Sequence, residues 1–236
     1  MPDFSCRRLR PELLDSGCMP QQEVFRTLSD MRRINRIFGN RRILLRTVAA
    51  EAARRKLRRF RLLDVAAASC DLPIAILQWA ARTALDVQVF ALEYQLNHLI
   101  LFRNELAGYE RLHRLCGDAL RAPIRDQSVD FVTCCNFFHH LDESQGIELL
   151  RQMKKWARHA VIVSDLERHW FAYRAFRIIS PFLSTTRMTD FDGAISISQA
   201  FRRPELERMA KAARFASFSV KRCMPFRLVM VGSIAT

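Results

Sequence analysis

No apolar run in this chain approaches the roughly 18 residues that a membrane-spanning helix requires. The stretch Met1 to Arg10 carries Arg7, Arg8 and Arg10 with no apolar segment behind them, so a secretory leader is not expected. There is no C-x-x-C and no H-x-x-x-H pair. The seven cysteines, odd in number and scattered, are expected to be reduced thiols of a cytoplasmic protein, with no metal site among them. Cys134 and Cys135 sit inside an apolar run and are expected to pack in the core. Acids are scarce: 24 against 38 basic residues, a net charge of +14. Between Met31 and Leu62 twelve arginines and lysines face a single acid, Glu51. Such a block attracts an anionic partner, whether nucleic acid, an acidic protein or a membrane surface; its other reading is a solvated helical face. Phe38 and Phe60 are its only rings, so it lacks the aromatic interleaving of single-strand nucleic-acid sites. No internal repeat or low-complexity segment is present.

With 50% hydrophobic residues, 236 residues suffice for one α/β domain or one domain with an appendage. Residues 1–20, punctuated by Pro2, Pro11 and Pro20, read as loosely ordered. Val24, Leu28, Met31, Ile34 and Ile37 recur every three or four residues, which predicts a helix over Gln21–Phe38 stopped by Gly39-Asn40. A second helix is expected over Arg42–Arg59, so that residues 1–60 form a basic helical cap and residues 61–236 the main domain. Apolar strand-length runs follow near Leu62–Ala66, Gln88–Glu93, Arg114–Cys116, Val129–Cys135 and Ala160–Asp165. Helical segments near Ile74–Leu85, Leu96–Gly108 and Ile147–Ala157 separate most of them, the last opened by a capping box at Asp142 and Gln145. Alternation at this spacing predicts a parallel sheet covered on both faces. Glu167–Leu183 reads as an aromatic-rich helix, Thr189–Phe201 as loop and turn around Asp192-Gly193, and Pro204–Ala213 as a helix. Phe215–Cys223 and Phe226–Ser233 then close the sheet as an antiparallel hairpin.

The run Leu62-Leu63-Asp64-Val65-Ala66-Ala67-Ala68-Ser69-Cys70-Asp71 is a buried strand turning tightly into a helix. Small residues allow backbone to approach a ligand, and the N–H groups of the helix start attract an anion. Ala68 and Cys70 stand where this kind of turn usually has glycine. Glu93 follows Asp71 by about one βαβ period, where a nucleoside-binding fold places the carboxylate that accepts both ribose hydroxyls. His139 and His140 leave the end of the fourth strand behind Asn136, and His169 follows the fifth. Imidazoles at strand ends suit removal of a phenolic proton. Rings and aliphatics over Trp170–Phe182 suit an apolar acceptor.

Taken together, Leu63-Asp64-Val65-Ala66-x-x-x-x-Asp71, the strand-end Glu93, Gly117-Asp118-Ala119, Ser128-Val129-Asp130-Phe131-Val132 and His139-His140-Leu141 resemble a class I S-adenosylmethionine-dependent methyltransferase. Three further stretches, Leu28 to Arg36, Ser164 to Arg168 and Asp192 to Ser196, resemble a bacterial small-molecule subgroup of polyketide-type biosynthetic clusters. The resemblance implies a Rossmann-like three-layer α/β fold whose seven-stranded, mostly parallel sheet ends in an antiparallel strand. It implies S-adenosylmethionine as cofactor: its methionine end over Asp64, Ala66, Ala68, Cys70 and Asp71, its ribose on Glu93, its adenine at Asp118 and Ala119, and Asn136 beside it. It implies methyl transfer to a small hydrophobic or phenolic acceptor, expected on oxygen, with His139, His140 or His169 as base. Two alternatives stay open at this point: a methyltransferase-like binding module without catalysis, motivated by Ala68 and Cys70, and an RNA-modifying enzyme, motivated by the basic block.

Overall fold

The computed structural model describes residues 4–234. Two helices come first, α1 (Gln21–Ile37) and α2 (Asn40–Arg54), joined at Gly39, whose φ of 76° is the left-handed backbone glycine supplies most cheaply. Then alternate β1 (Arg59–Val65), α3 (Asp71–Arg82), β2 (Asp86–Glu93), the short α4 (Leu96–Leu101) and α5 (Arg103–Leu106), β3 (Leu112–Cys116), β4 (Val129–Cys135), α6 (Glu143–Trp156) and β5 (Ala157–Leu166). The chain ends with α7 (Trp170–Leu183), α8 (Arg187–Gln199), α9 (Arg203–Ala212), β6 (Ser217–Cys223) and β7 (Arg227–Ser233).

The strands form one seven-stranded sheet in the order β3-β2-β1-β4-β5-β7-β6. β1 to β5 pair in parallel, and β7 runs antiparallel to both neighbours, β5 and β6. This is the expected Rossmann-like sheet with its reversed last strand. The order turns outward on either side of β1 and β4, so the carboxyl ends of those strands splay apart and open a crevice. β4 is buried along its whole length, Cys134 and Cys135 included, as a central strand covered on both faces must be. One face packs Leu149, Met153, Trp156 and Met209 from α6 and α9. The other packs Ile76 and Ala80 from α3 together with Leu44, Val48 and Ala52 from α2 and Leu28 from α1. The N-terminal helices thus share a core with the sheet.

Three expectations need correction. Residues 187–199 are helix α8, not loop and turn. Met188, Ala194, Ile195 and Ile197 are buried on several sides, which erases the one-sided periodicity that would have announced a helix. Gly193, which suggested a turn, is a point of close approach: a Cβ there would overlap the ring of Phe176 on α7. The segment before α1 is pinned rather than loose. Asp192 accepts from the backbone N–H groups of Leu13 (2.8 Å) and Leu14 (3.0 Å), and Arg7 Nη2 donates to the carbonyl of His139 (2.7 Å). Residues 4–20 form a strap across the carboxyl edge of the sheet; Met1 to Asp3 lie outside the described residues. The expected helix over 96–108 is interrupted at Phe102, giving α4 and α5.

Candidate active site

The loop between β1 and α3 keeps the backbone of a glycine turn without the glycines. Ala66, Ala68 and Cys70 all have positive φ (58°, 46° and 59°), and so does Asn136 at the end of β4 (52°). Each such residue with a Cβ costs roughly 1–2 kcal/mol, less for asparagine. The loop is held in place from outside. Ala68 N–H donates to Glu93 Oε2 (2.7 Å), Gln95 N–H to Oε1 (2.9 Å), and Arg32 of α1 donates to the carbonyl of Ser69 while lying 3.8 Å over the Phe102 ring. Ala68→Gly is therefore expected to raise stability. Relief of strain exceeds the entropy glycine costs by about 0.5–1 kcal/mol, or about 1–4 °C in Tm. A thermal melt checks this, and a lower Tm would show that the left-handed backbone is not strained.

A cavity of about 670 Å³ opens at the carboxyl edge, in the range of small-molecule sites. Ala66, Ala68, Glu93, Asp118, Ala119 and Asn136 all reach its wall. Nothing at positions 68 and 70 fills it. Three expected residues stand behind the wall instead. Cys70 is fully buried in the core, and burial pushes its thiol up to about 12. Asp64 accepts from Thr133 Oγ1 (2.6 Å) beneath the loop; burial, against that hydrogen bond, raises its carboxyl to about 7. Asp71 accepts from Asn35 Nδ2 (3.2 Å), and its carboxyl too is raised by burial.

A polar chain crosses the middle of the cavity. Arg227 Nη1 donates to Asn136 Oδ1 (2.7 Å), and Asn136 Nδ2 donates to Asn35 Oδ1 (2.9 Å). Arg227 is buried, and its Nε has no hydrogen-bond partner. Arg227 carries no motif, and Asn35, within the Leu28–Arg36 stretch, is not among the expected site residues; both are brought to the cavity by tertiary packing. So is Tyr94, 69% exposed beside Glu93 on the cavity rim. Along α1, Met31 and Ile34 face this cavity, so the predicted apolar stripe partly lines a ligand space rather than the core.

At the far end stand the histidines. Phe138–His140 is a single 3₁₀ turn. His139 is buried, its Nδ1 2.7 Å from Asp165 Oδ1; His140 Nδ1 is 2.8 Å from Asp15 Oδ2. Burial disfavours the imidazolium of His140. The hydrogen bond to Asp15 and the charges of Glu12, Asp15 and Asp165 outweigh it and lift the pKa to about 9. Glu12, buried on the strap, lies between the two rings. His169 goes elsewhere: its Nδ1 accepts from the N–H of Phe171 as the N-cap of α7, and its ring lies against Phe226, off the cavity wall. Beyond the histidines the wall carries Phe176 and Ile179 of α7, Ile197 of α8 and Phe226, with Thr189, Asp192 and Ser196 of α8 among them. In the basic block, Arg32, Arg41 and Arg55 are engaged internally, by the Ser69 carbonyl, Gln78 and Glu51, while Arg36, Arg42, Arg46 and Arg58 face solvent.

This sheet order, with its reversed last strand and a carboxyl-edge cavity walled by a strand-end acid, is the fold of the class I S-adenosylmethionine-dependent methyltransferases. Residues 62–160, from β1 through β4 and α6 into β5, match the family model described as "Methyltransferase domain". No curated protein sequence matches the chain. Among solved structures, an O-methyltransferase candidate from Nostoc punctiforme PCC 73102 aligns with a TM-score of 0.64 at 18% identity, over 98% of this chain and 65% of that one. The CurJ carbon methyltransferase aligns with a TM-score of 0.65 at 11% identity, over 94% and 63%. Magnesium protoporphyrin IX methyltransferase from Synechocystis PCC 6803, solved with bound SAH, gives 0.58 at 11%, over 84% of each chain. The chain thus spans less than two thirds of the length of the first two, and at these identities the likeness is one of fold. Among the described residues no helix is long and apolar enough to cross a membrane.

Proposed function

We propose that this chain transfers a methyl group from S-adenosylmethionine to an oxygen of an apolar, phenol- or enol-bearing small molecule. One observation carries the reading: a single cavity runs from the Glu93 and Asp118 carboxylates, past Asn136, to a region where the Glu12–His139–His140 group meets the apolar side chains of Phe176, Ile179, Ile197 and Phe226. The loop at 66–70 fits the cofactor, since the small side chains of Ala66 and Ala68 on the wall leave the space beside it open. Glu93 would hold the ribose hydroxyls. Asp118 has Oδ1 bound by Leu120 N–H (2.9 Å) and Oδ2 4.0 Å from Arg121 Nε, and the adenine edge is proposed to lie against Oδ2 above Ala119. The bound cofactor supplies an electrophilic sulfonium methyl. What the protein adds is alignment, the larger part of the acceleration in such a displacement. Phe176, Ile179, Ile197 and Phe226 exclude water and orient an apolar acceptor. The acceptor hydroxyl is expected against the histidine group, the cavity's means of lowering the cost of its deprotonation. His169, as a helix cap off the wall, has no part in this proposal, and neither rival reading gains support from the comparisons.

The test is a panel of phenolic, enolic and polar acceptors incubated with methyl-labelled cofactor, read as S-adenosylhomocysteine release. Turnover is expected on apolar phenols or enols with the label on oxygen. Label on carbon would replace the acceptor atom, and a failure to bind S-adenosylhomocysteine at millimolar concentration would sink the proposal.

A further inference from the structure

The histidine group has a geometry that hydrogen bonding alone does not explain. His139 Nε2 stands 3.7 Å from Glu12 Oε1, and His140 Nε2 stands 3.8 Å from Glu12 Oε2. Both separations exceed hydrogen-bond reach. The two rings lie with centroids 4.4 Å apart and present one nitrogen each to the same carboxylate, and one ligand atom from each of the three residues falls within 4.8 Å of the others. Two zinc bonds of roughly 2.0–2.1 Å meeting near the tetrahedral angle hold their ends about 3.4 Å apart; each nitrogen–carboxylate separation exceeds this by a few tenths of an ångström, and side-chain adjustment must draw in the remaining separations, which lie within 4.8 Å.

The surroundings are those of a built metal site. A ligating histidine characteristically gives its other ring N–H to a carboxylate, which fixes the tautomer and aims the free nitrogen. Here both rings have that partner on Nδ1: Asp165 for His139 at 2.7 Å and Asp15 for His140 at 2.8 Å. Glu12 is aimed as well, since its Oε1 accepts from Ser196 Oγ (2.6 Å) and Gln199 Nε2 (3.2 Å). The charges also favour a cation: Glu12, Asp15 and Asp165 crowd two imidazoles, against the nearby Arg7 and Arg227.

We infer that Glu12, His139 and His140 form a binding site for one divalent transition-metal ion of the zinc type, with Asp15 and Asp165 as outer partners. Two nitrogens and one carboxylate suit zinc, cobalt or ferrous iron and disfavour magnesium, which takes oxygen ligands. All three residues line the cavity, so the open coordination position faces the acceptor space. If the proposed methyl transfer holds, an acceptor hydroxyl at that position is polarised by the ion; ion binding itself does not rest on that reading.

The experiment uses the full chain after chelator treatment, titrated with ZnCl2 by calorimetry and with CoCl2 by absorption, without cofactor or acceptor. A single zinc equivalent is expected. The Co2+ spectrum should show visible d–d bands without the thiolate charge-transfer band that the seven free cysteines would give. H140Q should abolish this binding. D15N, altering a half-exposed side chain that a folded variant tolerates, should weaken it about 10- to 100-fold. No saturable zinc uptake, uptake unchanged in D15N and H140Q, or a thiolate-dominated cobalt spectrum would each overturn the site. Magnesium serves as the control and should not compete at equal concentration. Because no turnover is read, failure here leaves the methyl-transfer proposal standing.

Discussion

Glu93→Gln is expected to weaken S-adenosylhomocysteine binding about 100-fold. A hydrogen bond to a charged group contributes about 1.5–3 kcal/mol. Losing the charge under two ribose hydroxyls therefore costs about 3 kcal/mol, and each 1.4 kcal/mol is tenfold in affinity. The glutamine keeps the volume of a side chain that is almost wholly buried, so packing is retained. It does not keep the loop contacts intact. Oε2 accepts from Ala68 N–H and Oε1 from Gln95 N–H, and an amide NH2 must now face one of those donors. A modest fall in stability, of about 1–2 kcal/mol, should accompany the loss. Calorimetry and a thermal melt on the same sample separate the two effects. A change in affinity below about threefold would mean that Glu93 serves the loop and not a ribose.

Asp165→Asn carries the largest expected loss of stability. This carboxylate accepts from the N–H of His139 (3.1 Å), from His139 Nδ1 (2.7 Å) and from Leu166 N–H (2.7 Å), and it faces the buried Arg227. Burial alone would raise its pKa. The His139 ring, the Leu166 N–H and Arg227 more than offset this and hold it below the usual carboxylate value. Removing one member of a buried charge set leaves the other uncompensated, at a cost of about 3–5 kcal/mol. At about 2–4 °C per kcal/mol for a chain of this size, Tm should fall by about 6–20 °C. The sign with pH follows from the depressed pKa. The contribution of Asp165 is present above the unfolded value near 4 and lost as the pH falls through the folded one. Stability of the parent chain should therefore drop more steeply than that of the variant below about pH 4. Equal slopes, or a Tm within about 2 °C of the parent, would remove Asp165 from the role assigned to it.

Much of the site's frame was legible because it depends on local pattern. The apolar runs of β1, β4 and β5 mark central strands, and Asp142 with Gln145 three residues on forms the capping box at the start of α6. The spacing from Asp71 to Glu93 places an acid at the next strand end, where it does line the cavity. Other residues have no local signal. Glu12 lies in a proline-punctuated stretch without periodicity, and it gains meaning only because Asp192 and Gln199 hold the strap over the histidine turn. Helix α8 was hidden by being buried on several sides, and Gly193 suggested a turn where it serves close packing against Phe176.

By its sequence alone this protein is committed to alternating strands and helices around a doubly covered sheet, to a tight turn at 66–70, and to a carboxylate one unit downstream. These follow from periodicity, chain stiffness and the reach of a βαβ unit, which neighbouring residues determine among themselves. Which strand-end side chains face the cavity was decided only by tertiary structure. Backbone dihedrals turn Cys70 inward and leave Ala68 on the wall, and contacts between distant segments bring Glu12, His139 and His140 together. Such contacts depend on the relative placement of strap, α8 and sheet, and no window of sequence contains all three.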